Sequence, residues 1–327
     1  MAKETNPKKI LIIKIGDLGD IALALTLIKA FKDHQIFWVC GIKALDLLRS
    51  VPDIHAILPL DEKALLEGSF FKKAAALIKI WKRLFLRRFD IVVTAHKDPR
   101  YKWISLFCLK KRHYFFSKKD PFPLGEKFHG QAYLDLVQAI CPLEFPLLTL
   151  PPLNISALDG IKKPWIVLNV FGNPSGNKHL RYWDIHAFVE LATLLSQHNS
   201  VILIGDAQAV PYGSLFDLLP AINLIGKTNL LQLLTVLQNS YCIITHDSGP
   251  LHLARLLKIR SASLFGPTHP RNFSLPSNQE IHFYTQYPCS PCYNGKTFPN
   301  CQENKCLKSI PAKLVYQSLK KHFAEIL

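Results

Sequence analysis

The chain has 327 residues, of which 49% are hydrophobic and 20% charged, and its net charge is +16. At roughly 150 residues per domain this length predicts two domains, and the apolar content excludes a disordered chain. No apolar run approaches the roughly 18 to 20 residues of a membrane-spanning helix, and no signal-peptide cleavage site follows the first apolar run. We therefore expect a cytoplasmic protein whose positive charge suits nucleic acid, an anionic membrane surface or a phosphorylated substrate.

Short runs of Val, Ile and Leu alternate with helical patterns along the chain, which is typical of βαβ units in a parallel sheet. In the first half the predicted strands are Ile10–Ile15, Ile36–Cys40, Ala56–Leu60, Ile91–Ala95 and His113–Phe116. The predicted helices of this half lie near Asp20–Lys32, Ala44–Ser50, Phe70–Leu86 and Gln131–Ala139. The fold class is therefore α/β.

A proline-rich stretch, 141–163, lacks this periodicity and is interpreted as the linker between two domains, 1–150 and 151–327. The strands predicted after it are Trp165–Val170, Val201–Ile204, Ile222–Ile225, Cys242–Thr245 and Ser261–Phe265. The helices predicted there are Trp183–Ser196, Leu230–Gln238, Gly249–Leu257 and Ala312–Phe323, and we expect the last to pack back on the first domain. Doubly wound domains bind ligands at the carboxyl ends of their strands, here in a cleft between the domains.

Basic residues are concentrated between Lys72 and Lys119, where 15 Lys and Arg face only two acids. Within this region Phe70–Phe89 has the pattern of an amphipathic helix. One interpretation is a helix packed on the core with a solvated basic face. The other is a helix at an anionic lipid surface, where each basic residue adds about 1 kcal/mol. The residues assigned to this acceptor or membrane face are Lys72, Lys79, Arg83 and Arg100.

The first motif that could carry chemistry is Lys14–Asp20, directly after the first strand. Its two glycines stand three residues apart, so it is not the fingerprint of a dinucleotide fold. Asp20 could simply benefit from the dipole at a helix N-terminus. A carboxylate at the carboxyl edge of a sheet is also where a general base would stand.

Three motifs in the second half could bind phosphate. A loop rich in Gly and Asn ends with Lys178 and Arg181, two cations that suit a diphosphate. The segment Asp247–Gly249 leads from a strand into a helix, with Ser248 as a candidate N-cap and free helix N–H groups as an anion site. Thr268 follows another strand and offers a hydroxyl and an N–H group to a phosphate or a sugar.

These motifs together resemble glycosyltransferase family 9, the ADP-heptose:lipopolysaccharide heptosyltransferase family. The matching segments are Ile10–Asp20, Lys178–Trp183, Asp247–Ala254 and Phe265–Pro270, in the family's order. The resemblance implies a GT-B fold, in which two Rossmann-like domains flank an interdomain cleft. It places the sugar acceptor on the first domain and the nucleotide sugar on the second, and it implies inverting transfer without a catalytic metal.

The resemblance also implies roles for individual residues. Asp20 falls on the family's presumed catalytic base, with Lys14 as the basic residue near it, and either Arg181 or Lys178 is the phosphate-binding cation. The remaining implied donor residues are Asp247, Ser248 and Gly249 for phosphates and sugar, and Gly226, Lys227 and Thr228 for the nucleotide base. Two departures, Gly16-Asp17 in place of a Ser-rich loop and His269 in place of Asp, leave the sugar and the acceptor open.

The expected function is transfer of a heptose from ADP-heptose to a lipid A-linked acceptor of the lipopolysaccharide inner core, at the cytoplasmic face of the inner membrane. A related transferase that uses another nucleotide sugar, such as UDP-N-acetylglucosamine, is the alternative within the enzymes. A basic nucleic-acid-binding protein stapled by a metal is the alternative from another class. That class leaves Asp20 and Asp247 unexplained, so we expect no nucleic-acid partner.

Eight cysteines are present. Four of them, Cys289, Cys292, Cys301 and Cys306, form the pattern C-x2-C-x8-C-x4-C. This spacing is compatible with a structural zinc site of four thiolates, and also with free thiols or redox-labile disulfides. No cofactor is expected to be required for catalysis.

Overall fold

The computed structural model describes residues 6–117, 125–171, 180–275, 277–295 and 297–323. The chain divides into two compact units, of which the first comprises Met1–Pro121 and His129–Thr149. The second comprises Phe122–Phe128 and Leu150–Leu327. The described residues contain no helix that is both long and apolar enough to cross a membrane.

The first unit is built on a parallel sheet of five strands in the order β3-β2-β1-β4-β5. The strands are β1 (Lys9–Ile13), β2 (Gln35–Gly41), β3 (Ile54–Leu60), β4 (Arg88–Thr94) and β5 (Leu109–Phe115). The central strand β1 is apolar on both faces because helices cover both, and its Ile12 pairs with Trp38 of β2 and Val93 of β4.

The helices of the first unit follow the predicted pattern with two differences. They are α1 (Leu18–Ala24), α2 (Thr26–Ala30), α3 (Leu45–Arg49), α4 (Glu62–Glu67), α5 (Phe70–Leu84) and α6 (His129–Leu136), with 3₁₀-helices at Ile42–Ala44 and Pro99–Ser105. The single helix predicted over Asp20–Lys32 is divided at Leu25 into α1 and α2. The short helix α4 has no apolar repeat long enough to predict it, and Asp61 caps its first turn by accepting from the Ala64 N–H.

The second unit contains a parallel sheet of six strands in the order β11-β10-β9-β6-β7-β8. The strands are β6 (Trp165–Phe171), β7 (Ser200–Gly205), β8 (Ala221–Asn223), β9 (Ser240–His246), β10 (Arg260–Phe265) and β11 (Glu280–Tyr284). The helices are α7 (Ile185–Ser196), α8 (Leu230–Gln238), α9 (Gly249–Leu256), α10 (Pro270–Phe273), α11 (Lys305–Lys308) and α12 (Ala312–His322), with 3₁₀-helices at Ser156–Leu158 and Ala207–Phe216. Strand β11 was not predicted, because this edge strand is only partly buried and lacks a long apolar run.

Each sheet has one point at which the strand order reverses. In the first sheet this point lies between β1 and β4, and in the second it lies between β6 and β9. The loops that leave two such strands diverge and leave a crevice at their carboxyl ends, where open α/β sheets bind ligands. Lys14 lies in the loop after β1 and Asp20 in the first turn of the helix that follows it, and the loop after β9 carries Asp247. Topology alone therefore places the predicted motifs at the two binding crevices.

The last helix, α12, belongs to the core of the second unit. Its buried residues Val315 and Leu319 lie in the same apolar cluster as Leu191 and Leu195 of α7. The apolar residues Val315, Leu319 and Phe323 recur every fourth position, and this stripe packs within the second unit. That the helix also packs back on the first domain stays a prediction.

A short segment, 125–128, is fastened to the second unit by side chains of α9 and α10. The Asn272 amide accepts from the Gly125 N–H at 2.8 Å and donates to the Lys127 carbonyl at 2.9 Å. The Arg255 guanidinium lies 5.1 Å from the centre of the Phe128 ring. These contacts explain why the segment groups with the second unit although the residues on either side of it in the chain belong to the first.

Candidate active site

The loop after β1 brings Lys14 and Asp20 together. Gly16 has a φ of 119°, a backbone conformation that glycine adopts at little cost. The turn places Asp20 in the first turn of α1, with its Oδ2 atom 3.5 Å from the Lys14 Nζ. The Lys14 side chain is only 7% exposed, whereas that of Asp20 is 52% exposed. The carboxylate is therefore held by a buried cation while remaining open to a ligand.

The charges around Asp20 favour its ionised form. Burial alone would raise the pKa of the Asp20 carboxyl, but Lys14, His129 and His96 outweigh this effect and lower the pKa to about 2. Solvent weakens this shift because half of the side chain is exposed. Burial alone would lower the pKa of Lys14, but Asp20 and Tyr133 reverse that effect, so the ammonium group stays charged.

The structure adds two histidines and a tyrosine to this site that were not predicted. His96 follows β4, and its Nε2 accepts the Ile15 N–H at 2.9 Å, so the neutral ring carries its proton on Nδ1. Burial lowers the pKa of His96 well below its usual value and that of His129 to about 4. Tyr133 of α6 lies beneath Lys14, whose Nζ is 5.6 Å from the ring centre. Strand order gives a signal for His96, but nothing local in the sequence places α6 here.

In the second unit, Asp247 and Arg181 form the centre of the corresponding crevice. The Arg181 Nη1 lies 3.4 Å from Asp247 Oδ2, and the Asp247 side chain is 3% exposed. On the other side, His252 Nε2 is 3.9 Å from Asp247 Oδ1. Because Arg255 can only donate to His252 Nδ1, the proton of the neutral His252 ring is on Nε2, facing Asp247. Arg181, at 22% exposed, is oriented by a buried carboxylate and still reaches the surface.

The short segment that carries Arg181 is fixed on both sides of that residue. His246 Nε2 accepts the Trp183 N–H at 2.8 Å, and the Asn304 amide donates to the carbonyls of Leu180 and Tyr182 at 3.1 and 2.7 Å. Burial, with a further contribution from Arg181, lowers the pKa of His246 to about 3. His246 is therefore neutral and acts as an acceptor. His246 was not predicted as a site residue, and its role here is to hold the backbone beside the cation.

Ser248 occupies the N-cap position of α9, as predicted, but does not cap the helix with its side chain. Its hydroxyl is instead within hydrogen-bond distance of Asn169 and Thr245, at 3.1 Å from each. Asn169, at the end of β6, also donates to Thr245 at 2.8 Å. In the part of the chain that the structure describes, the Ser248 side chain thus leaves the N–H groups of the first turn of α9, which begins at Gly249, without a cap. Such a helix start attracts an anion.

The other predicted donor residues differ in their exposure and in their hydrogen bonds. Thr268 is 2% exposed, and its hydroxyl has no hydrogen-bond partner among the described residues. Gly226 has a φ of 68°, and Lys227 donates to the Asn223 carbonyl at 3.0 Å. Gly226 and Lys227 are exposed and Thr228 is partly so. Lys178 lies outside the described residues, so the choice between Lys178 and Arg181 stays open.

The predicted basic face of the first unit is exposed but not uniform. Lys72, Lys79 and Arg83 lie on one exposed side of α5. Arg100 is instead engaged by Asp98, whose Oδ2 accepts from its Nε at 2.8 Å. An ion-paired arginine is less available to a ligand than a free one, so Arg100 contributes less to this face than the prediction assigned to it.

The zinc site that the spacing of the four clustered cysteines is compatible with is not confirmed in the described part of the chain. No group of three or more His, Cys, Asp or Glu side chains there has an arrangement that could hold a metal ion. The thiols still influence one another. Burial, with smaller contributions from its neighbours Cys306, Cys289 and Cys301, raises the pKa of Cys292 to about 11. The spacing therefore brings the cysteines near each other, and the zinc site stays a prediction.

Comparison with known proteins identifies the family. A model of glycosyltransferase family 9 (heptosyltransferase) matches residues 154–301. The lipopolysaccharide core heptosyltransferase OpsX of Haemophilus influenzae is 23% identical over an alignment of 279 residues that covers 76% of each chain. The lipooligosaccharide heptosyltransferase 2 of Campylobacter jejuni serotype O:6 is 25% identical over 322 residues, 93% of this chain and 96% of the relative.

Solved structures show the same fold. A family 9 glycosyltransferase from Veillonella parvula superposes with a TM-score of 0.77 at 15% identity, covering 99% of this chain and 100% of the other. The ADP-heptose LPS heptosyltransferase II of E. coli gives a TM-score of 0.71 at 18% identity, covering 97% and 99%. The predicted GT-B fold, with two Rossmann-like units, is thereby confirmed. The family model over residues 154–301 and the curated relatives agree on glycosyltransferase family 9, the heptosyltransferase family.

Proposed function

We propose that the protein transfers a heptose from ADP-heptose to a lipid A-linked acceptor of the lipopolysaccharide inner core, with inversion at the anomeric carbon. The curated relatives, whose names describe lipopolysaccharide or lipooligosaccharide heptosyltransferases, support this reaction. The observation that carries the proposal is that the two crevices present groups suited to the two halves of the reaction. One presents an exposed carboxylate beside a buried lysine, and the other presents an arginine beside an uncapped helix start.

In this proposal Asp20 is the general base. Its lowered pKa keeps it ionised at neutral pH, and half of its side chain is open to an acceptor. It takes the proton from the acceptor hydroxyl as that oxygen attacks the anomeric carbon from the face opposite the diphosphate, which inverts the configuration. Lys14 positions the carboxylate and keeps it ionised. A positioned base contributes typically 10²–10⁴-fold to the rate.

The second unit binds the donor and stabilises the leaving group. Negative charge develops on the departing diphosphate, and preorganised cations and N–H groups lower the energy of that transition state. Arg181 and the start of α9 at Gly249 supply these groups, with Lys178 as a further cation. The hydroxyl of Thr268 binds a phosphate or the sugar. The turn Gly226–Thr228 lies beside the nucleotide base. Every step of this scheme is carried by side chains and N–H groups of the protein.

One further part of the proposal concerns the location of the protein in the cell. A lipid-linked acceptor places the enzyme at the cytoplasmic face of the inner membrane as a peripheral protein.

The cysteine segment 289–306 has no part in the reaction, and a zinc ion there would be structural, since four thiolates close the coordination sphere. Elemental analysis of the purified protein tests this last point, because one bound zinc per chain that is absent from a Cys292→Ser variant would establish the site.

The function is tested by incubating the protein with ADP-heptose and a heptose-free core acceptor and measuring ADP release and the product mass. We expect ADP formation that depends on the acceptor, and a product whose anomeric configuration is opposite to that of the donor. A thermal-shift comparison of ADP, UDP, GDP and CMP identifies the nucleotide. Binding at 100 times Kd stabilises by about 2.7 kcal/mol. Stabilisation by UDP alone would favour a different nucleotide sugar, and stabilisation by none would contradict a transferase.

A further inference from the structure

The helix α5 buries only part of its apolar surface. Ala76, Ile80 and Leu84 face the core of the first unit, and each is at most 6% exposed. A second apolar stripe, Phe71, Ile78 and Phe85, recurs every seven residues and so lies on one side of the helix. These three side chains are between 47% and 82% exposed. An amphipathic helix that served only the core would not keep a second stripe of large apolar residues in water.

The neighbouring segment extends this apolar surface. Trp81 of α5 donates through its Nε1 to the Trp103 carbonyl at 2.7 Å, and its ring is 4.9 Å from that of Phe107. The side chains of Trp103 and Phe107 are themselves 61% and 43% exposed, and that of Leu106 between them is 56% exposed. The helix stripe and the 103–107 segment are thus adjacent parts of one surface. We call it the apolar patch: Phe71, Ile78, Phe85, Leu86, Trp103 and Phe107.

Leu86 has an unfavourable backbone conformation and an exposed side chain. Its φ is 55°, in the left-handed region that favours glycine or asparagine, and its side chain is 60% exposed. A leucine in this conformation costs roughly 1 kcal/mol or more relative to glycine, and it gains nothing in return from burial in the protein. The backbone at this position is held by the N–H of Leu86, which donates to the Phe107 carbonyl at 3.1 Å. The apolar side chain is therefore unexplained by the fold of the first unit.

The apolar patch is surrounded by positive charge. Lys79, Lys82, Arg83, Arg87 and Arg88 are all exposed along α5 and the start of β4. The strand β5, which follows the patch in the chain, adds Lys110, Lys111 and Arg112, of which Lys111 is paired with Asp90. Charged residues on an edge strand also prevent pairing with another sheet. That role accounts for β5 but not for the cations of α5, which is a helix.

We propose that the apolar patch is the membrane-docking surface of the protein, and that its partner is an anionic phospholipid bilayer. Aromatic and aliphatic side chains inserted at the interface, with basic residues at the headgroups, are the two components of interfacial binding. A nucleic acid would be held by the cations and would leave Ile78, Phe85 and Leu86 exposed to water. The inference names the surface through which the proposed transferase meets its lipid-linked acceptor, and in that respect rests on the proposed function.

The test is co-sedimentation of the protein with vesicles of phosphatidylethanolamine and phosphatidylglycerol, compared with vesicles of phosphatidylcholine. We expect the wild type to bind the anionic vesicles and to lose this binding as salt is raised. Each basic residue near an anionic surface contributes roughly fivefold, which is about 1 kcal/mol. The double variant Arg87→Gln/Arg88→Gln should therefore bind about 25-fold more weakly.

Leu86→Gly tests the apolar component without endangering the fold, because glycine accepts the left-handed backbone more readily than leucine does. We expect unchanged or increased thermal stability together with roughly tenfold weaker vesicle binding, the loss that follows from removing one inserted leucine. Leu218→Ser removes an even more exposed leucine from the second unit, and Lys313→Gln/Lys321→Gln removes two cations from α12. Both controls should bind vesicles like the wild type.

Turnover of a soluble acceptor without acyl chains separates this inference from the proposed function. All these variants should turn that acceptor over at the wild-type rate. Absence of wild-type binding to anionic vesicles, or equal losses in the control variants, would overturn the docking surface even if ADP-heptose is used. Tight, salt-sensitive binding to duplex DNA with no vesicle binding would do the same. Vesicle binding with no turnover of ADP-heptose would refute the proposed function and leave the docking surface standing.

Discussion

Replacing Lys14 by Met tests the electrostatic part of the proposed mechanism. The Lys14 Nζ and Asp20 Oδ2 atoms are 3.5 Å apart. At this distance two unit charges attract by about 1 kcal/mol in water and by about 5 kcal/mol at the effective dielectric constant of about 20 found near protein surfaces. Asp20 is 52% exposed, so the lower part of this range applies. Since 1.36 kcal/mol corresponds to one pKa unit, loss of Lys14 should raise the pKa of Asp20 by about one to two units.

The assay is the pH dependence of kcat/KM, which reports the ionisation of the free enzyme. In the wild type the Asp20 pKa of about 2 keeps the carboxylate ionised above about pH 4, so no acid limb from this group is expected there. In the Lys14→Met variant the fraction of ionised Asp20 falls as the pH drops below about 5, and kcat/KM should fall with it. Lys29→Met, which removes an exposed ion pair with Glu144, is the matched control and should keep the wild-type profile. Identical profiles for wild type and the Lys14 variant, with equal thermal stability, would refute the assigned role of Lys14.

Three further outcomes are expected. Asp20→Asn should lower kcat by roughly 10²–10⁴-fold while the Kd for ADP, measured by calorimetry, stays unchanged; equal turnover would remove Asp20 as the base. Arg181→Gln should weaken ADP binding by about 10- to 100-fold, because a charge-assisted hydrogen bond contributes about 1.5–3 kcal/mol; a Kd equal to that of the wild type would leave Lys178 as the phosphate cation. The pKa of His246 is lowered to about 3 in the folded chain, whereas its unfolded value is about 6.5. Between these values the unfolded chain binds a proton that the folded chain does not. The free energy of unfolding should therefore decrease as the pH is lowered from about 6.5 to about 3. His246→Gln should lose about 1–3 kcal/mol near pH 7 if its amide fails to accept the Trp183 N–H, and its stability should depend less on pH between 6.5 and 3 than that of the wild type; an unchanged slope would contradict a buried neutral His246.

The sheet strands were the most predictable part of the molecule. Continuous apolar runs such as Ile10–Ile15 and Trp165–Val170 have few alternatives to a strand buried on both faces, and they correspond to β1 and β6. Because the carboxyl ends of parallel strands share one edge, the motifs after β1 and β9 could be assigned to binding crevices before any coordinates were known. Asp20, Lys14 and Asp247 follow from this rule.

The residues that complete the site were not predictable in the same way. Tyr133 and His129 lie near Asp20 because α6, which begins more than 100 residues later in the chain, packs against α1 and α2. Periodicity likewise identified α5 as amphipathic but could not tell which of its apolar residues meet the core. The core takes Ala76, Ile80 and Leu84, and the remaining stripe is left in water. Such outcomes depend on tertiary packing, which a local sequence pattern does not determine.

The fastening of residues 125–128 to the second unit has a consequence for engineering. A gene divided between codons 149 and 150 would yield a carboxy-terminal fragment without Gly125 and Phe128. In that fragment the Asn272 amide would lose two hydrogen bonds and Arg255 the ring it packs against. A chimera that exchanges the second units of two relatives would therefore need three junctions in the DNA, so that residues 125–128 are exchanged together with the unit that binds them.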